Sequence, residues 1–165
     1  MAVMPFPQWA PDISDLKTGV SANITNVVPR ADGYGPWRDL ANFTAALAGI
    51  NRGFFFARNV DGSITVFGAT STKIYRLDNT SFTWVDVSKA LGSYSALAGT
   101  DNWQFAQFNT RVMAVQANVA PQSYVLGSST EFADLAGSPP QARYISILGR
   151  FVVLSGLLSN PFRVQ

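Results

Sequence analysis

Ten acidic side chains are this chain's whole supply of carboxylates, and Glu131 is its only glutamate. A hydrolase that works with paired carboxylates needs two acids converging on one cleft. Asp61, Asp78, Asp86, Asp101 and Asp134 instead occur singly among turn-forming residues, and turn propensity accounts for them. The 165 residues include no histidine and no cysteine. The usual general base, the commonest metal ligand, disulfides and thiolate nucleophiles are therefore all missing. No glycine-rich phosphate loop, nucleophile elbow or metal-ligand cluster is spelled out either. The expectation is a protein that is not an enzyme, with no catalytic residues, no metal and no cofactor.

Aromatic residues form the other constellation: Phe54, Phe55, Phe56, Phe67, Tyr75, Phe82, Trp84, Trp103, Phe105 and Phe108. Exposed rings stack on sugars or bases. Alternation with polar residues, as in Trp103-Gln-Phe-Ala-Gln-Phe108, fits one buried face of a sheet better, so these rings are expected in the core. Asp78-Asn-Thr-Ser-Phe-Thr-Trp84 comes near the Asp-box turn of sialidase-type propellers. Thr80 stands where that turn has glycine and Trp84 is one residue late, so it reads as an ordinary turn with a buried tryptophan.

The elements that must position these residues are strands. Apolar residues make up 47% of the chain and charged residues 13%, ample for a core but thin as a solvating coat. Such a surface suggests partial cover by neighbours. Twelve basic against ten acidic residues leave a net charge of +2. Lys17, Arg30, Arg38, Arg52 and Arg58 are spread singly, unlike the clustered basic face of a phosphate-neutralising nucleic-acid binder. The start Met1–Trp9 has neither the charged region nor the apolar run of a secretory signal, and the apolar stretches are too short for a membrane span. Sequons at Asn23, Asn42 and Asn79 then count as chance matches.

Residues 1–50 read as an extended N-terminal arm and linker. Pro5, Pro7, Pro11 and Pro29 forbid long helices. Val20–Val28 is β-branched enough for one strand, and Asp32-Gly33 is a turn signal. Phe6, Trp9, Tyr34 and Trp37 are the candidate contacts of this arm with a neighbouring subunit; packing on the chain's own core is the alternative. Leu40, Phe43 and Leu47 share one face at helical spacing, which makes 38–50 the one plausible helix, with a strand and loop equally compatible.

From Gly53 the pattern becomes strand, turn, strand. Phe54–Arg58, Ser63–Phe67, Lys73–Leu77 and Phe82–Val87 follow one another through short turns, with Asp61-Gly62 as a hairpin signal. The order recurs over Asn102–Phe108, Arg111–Gln116, Gln122–Leu126 and Phe132–Leu135. It begins again with Ala142–Ile147 and Arg150–Leu154, and Pro161–Gln165 would open a third strand. Turns at Asp61, Asn109 and Leu148 recur at intervals of 48 and 39 residues. Four strands per period of roughly 40–50 residues is the signature of propeller blades. The expected fold is all-β: an incomplete β-propeller-like array of four-stranded antiparallel blades. The first blade and its connector would occupy 51–100, the second blade 101–140, and the start of a third, incomplete blade 141–165. Two and a half blades fall short of a closed ring, so the expectation is the N-terminal piece of a longer protein, or strands completed by another chain.

Trp9-Ala-Pro-Asp-Ile-Ser-Asp15 and Asn26-Val-Val-Pro-Arg-Ala-Asp-Gly-Tyr-Gly-Pro-Trp37 resemble the N-terminus of the tail nozzle (tail tubular, or tail hub) structural proteins of short-tailed bacteriophages. The resemblance continues through Tyr75–Asp78, Trp103–Phe108, Ala120–Tyr124 and Gly149–Ser155. It implies a propeller-based virion subunit, made in the host cytoplasm and resident in the phage tail. Such subunits form a homo-oligomeric ring, a hexamer by this resemblance, beneath the portal and adaptor (head-to-tail connector). The ring prolongs the channel for double-stranded DNA during ejection and carries tail fibres or a needle. The alternative is a receptor- or carbohydrate-binding propeller module at the tail tip.

Overall fold

The computed structural model describes residues 8–9, 20–21, 25–30, 33–37 and 41–165. Two compact units divide the chain, residues 1–42 and 43–165. Within the first unit, β1 (Gln8–Trp9) pairs in parallel with β2 (Val20–Ser21), and β3 (Val27–Arg30) forms a hairpin with β4 (Gly33–Pro36). The single strand expected over 20–28 is therefore two. Asn26 adopts a left-handed φ of 56°, which breaks an extended run, and asparagine is among the few non-glycine residues that tolerate it. In the hairpin Arg30 opposes Gly33, so the reversal falls where the Asp32-Gly33 signal stood.

The second unit is all-β apart from one short 3-10 turn at Lys89–Leu91. Its first sheet is an antiparallel meander of β5 (Gly53–Arg58), β6 (Ile64–Ala69), β7 (Ile74–Leu77) and β8 (Trp84–Asp86). The second is another meander, β9 (Gln104–Phe108), β10 (Arg111–Gln116), β11 (Val119–Val125) and β12 (Ala133–Asp134). A hairpin of β13 (Ala142–Leu148) and β14 (Phe151–Leu157) follows. Each sheet runs in strand order and none closes on itself. Local chemistry accounts for the three opening hairpins. Each turns through a residue that accepts a left-handed φ: Gly62 at 84°, Asn109 at 52° and Gly149 at 60°.

No helix forms over 41–50. Instead residues 43–50 lie on the first sheet. The Ala45 N–H donates to the Phe82 carbonyl at 2.9 Å, and Trp84 Nε1 donates to the Ala45 carbonyl at 3.0 Å. A helix this short is marginal alone, so hydrogen bonds and apolar contacts offered by the sheet prevail over the Ala and Leu propensities. Among the described residues no helix is long and apolar enough to cross a membrane.

Strand alternation assigns the core. In β10, Val112 and Ala114 join Phe67, Ala69 and Ile74 of the first sheet, whereas Val115 joins Ala142, Leu154 and Leu157 of the hairpin. Successive side chains point to opposite faces, so the second sheet is buried on both sides. Phe67, Tyr124 and Phe132 form a three-ring cluster between the first two sheets, with centroids 5.2–5.5 Å apart. The two edge-on contacts made by Phe67 add to the burial energy.

Candidate functional site

Five of the described carboxylates tie turns or distant segments together. Asp61 accepts hydrogen bonds from the Ser63 hydroxyl at 2.7 Å and the Ser63 N–H at 2.9 Å, closing the first hairpin. Asp78 accepts from the Ser81 hydroxyl at 2.6 Å and from the Thr80 N–H at 3.1 Å. These bonds hold both acids below the usual carboxylate range. Burial pushes Asp86 upward, but hydrogen bonds from Lys73 and Ser88 outweigh it and the net shift is down. Asp134 is lowered by Lys89, 2.6 Å away, and then by Gln122. Asp101 meets Arg143 at 3.5 Å. Each of these five acids has its own hydrogen-bond or ion-pair partner. Among the described residues no three His, Cys, Asp or Glu side chains gather where a metal ion would fit.

One polar cluster is larger. Tyr94, in the connector after the 3-10 turn, accepts from the Lys89 N–H at 2.8 Å, and its hydroxyl lies 3.4 Å from Gln122 Oε1. Buried Gln122 donates to the Ala120 carbonyl and to Asp134, both at 2.8 Å. Burial pushes the Tyr94 hydroxyl up to about 12, so at neutral pH it stays protonated. The cluster clamps the connector onto β11 and β12. It holds one carboxylate, with Lys89 beside it, and so lacks the second acid of a paired-carboxylate site.

The surfaces are more informative than the polar groups. The register places Phe54, Phe56, Ile64, Val66, Gly68, Tyr75 and Trp84 on the face of the first sheet that points away from the second. Segment 43–50 covers part of it, with Leu47 near Gly68 and Phe43 4.8 Å from Phe82. Phe54, Phe56 and Ile64 stay exposed, Phe56 by 62%. At the other end of the stack the hairpin turns Ile145, Ile147, Val152 and Leu154 toward the second sheet. Its outer face carries Tyr144, Leu148 and Phe151, the last 73% exposed. Among the described residues both end faces expose apolar side chains, and the first-sheet face also carries Arg58, which opposes Ile64.

Core placement holds for Phe67, Tyr75 and Trp103, which are buried. It fails for Phe82, which is exposed in its turn, and Trp84 is only half-buried. It fails too for Phe54 and Phe56: three consecutive phenylalanines must alternate across the sheet, and only Phe55 faces inward, stacked on Phe105 at 5.8 Å. Of the arm residues, Phe6 lies outside the described residues. Trp9 sits in β1 opposite Ser21, and Tyr34 in β4 opposite Pro29. Trp37 follows β4, is 62% exposed, and its N–H donates to the Asn26 carbonyl at 3.0 Å. The outer-face residues Tyr144, Leu148 and Phe151 were not singled out by sequence reasoning. The signal for them was the apolar alternation on both faces of 144–153, a pattern of strands covered on two sides.

The chain matches no protein-family model and no curated protein.

Proposed function

We propose that this chain is a non-catalytic structural subunit of a ring-shaped phage tail nozzle. In this reading its meanders are successive blades of an incomplete propeller. The observation that carries the reading is how the sheets stack. The Trp103 N–H donates to the Arg52 carbonyl at 2.7 Å, Phe55 stacks on Phe105, and Gln107 exchanges hydrogen bonds with the Arg58 backbone at 2.7 and 2.9 Å. The opening strands β5 and β9 therefore run side by side in the same direction. β13 packs on β9 in its turn, with Arg143 reaching Asp101. Adjacent opening strands of consecutive four-stranded meanders are what a propeller places around its axis.

The likeness of residues 9–37 to nozzle N-termini supports the particular role. So does the dispersed charge, which suits a channel that passes double-stranded DNA without holding it. The subunit would reside in the virion, dock on the adaptor above and carry fibres or a needle below, with the arm around Trp9 and Trp37 as a latch. Antibody labelling of purified short-tailed particles tests this location. Label on the tail axis just below the head agrees with the nozzle, and label confined to the tail tip favours the receptor- or carbohydrate-binding module.

A further inference from the structure

Within the second unit, sheets stack by a repeated operation. The second sheet places one face on the first sheet and its other face on the hairpin. Among the described residues the operation stops at two mostly apolar faces: Phe54, Phe56 and Ile64 at one end, with Arg58 opposite Ile64, and Tyr144, Leu148 and Phe151 at the other. We propose that these two faces bind each other between copies of this chain, the hairpin of one copy docking head to tail on the first sheet of the next.

Size supports a second copy as the occupant. Taking about 200 Å² for a fully exposed aromatic side chain, the first-sheet face with Phe43 and Phe82 offers on the order of 500 Å² of apolar surface. The hairpin face offers roughly 400 Å² on the same basis. A stable interface takes about 800 Å² from each partner, a little over half of it apolar. Each face thus supplies about what one side of a specific interface needs. Ser146, Val153 and Ser155 share the hairpin face, which carries no charged side chain to be stranded on burial, and Arg58 on the facing sheet stands at the end of edge strand β5. A contact between two different faces leaves one free at each end of a dimer, so growth stops only when a ring closes. Closure of this kind connects the interface to the ring reading. The inference rests on the chain being a subunit of a homomeric assembly, not on its residence in a phage.

The test uses Phe56→Asp and Phe151→Asp in the full chain. Both side chains are mostly exposed, so folding is retained, as circular dichroism would verify; Phe56→Ser and Phe151→Ser replace them if a spectrum changes. In sedimentation velocity the wild-type chain self-associates, and each variant alone associates at least about 30-fold more weakly. Mixing the two variants restores one intact pair of faces and yields a one-to-one dimer that grows no further. Variants that associate like wild type would overturn this interface while leaving the subunit reading in place. A wild-type chain that stays monomeric at high concentration would overturn both.

Discussion

Tyr94 ties the connector to the second sheet through its hydroxyl, and burial raises its pKa to about 12. Because the folded value lies above the unfolded value of about 10, this group's contribution to stability is complete below pH 10. It is lost as pH climbs toward 12. A spectrophotometric titration should show a tyrosine ionising near pH 12 together with loss of stability, and Tyr94→Phe should remove that step. Phe132 is fully buried against Phe67 and Tyr124. Phe132→Ala leaves a cavity between the two sheets and should cost about 3–5 kcal/mol in denaturant unfolding. Exposed Phe56→Ala should cost far less, and equal losses would contradict the assignment of faces.

Gly53 opens β5 where the first two sheets touch. A Cβ there would stand 2.8 Å from Trp103 Cβ and 2.9 Å from its carbonyl oxygen. Backbone cannot yield as a flexible side chain does, so Gly53→Ala should destabilise by about 1–3 kcal/mol. Thermal unfolding measures the loss, and an unchanged midpoint would mean the two strands are farther apart. The hairpins at Gly62, Asn109 and Gly149 were legible because turn chemistry is local. What residues 43–50 do was not legible: Leu47 and Phe43 have helical spacing, and only the first sheet, distant in sequence, decides their conformation. The exposed faces were obscured for a related reason. Phe54-Phe-Phe56 gives no alternation to show which ring faces inward, and exposure depends on which sheet comes next. If the arm is a latch, deleting residues 1–20 should leave the circular dichroism of the meanders unchanged and weaken docking on the adaptor. Normal assembly of the truncated chain would refute that role.

The second unit is an open stack of two four-stranded meanders and a hairpin, with Asp61, Asp78, Asp86, Asp101 and Asp134 committed to turns and ion pairs. Electron microscopy of the purified full chain tests the structural-subunit reading most directly. The account predicts class averages of a ring with a constant number of copies and a central channel. A population made only of single chains would contradict it.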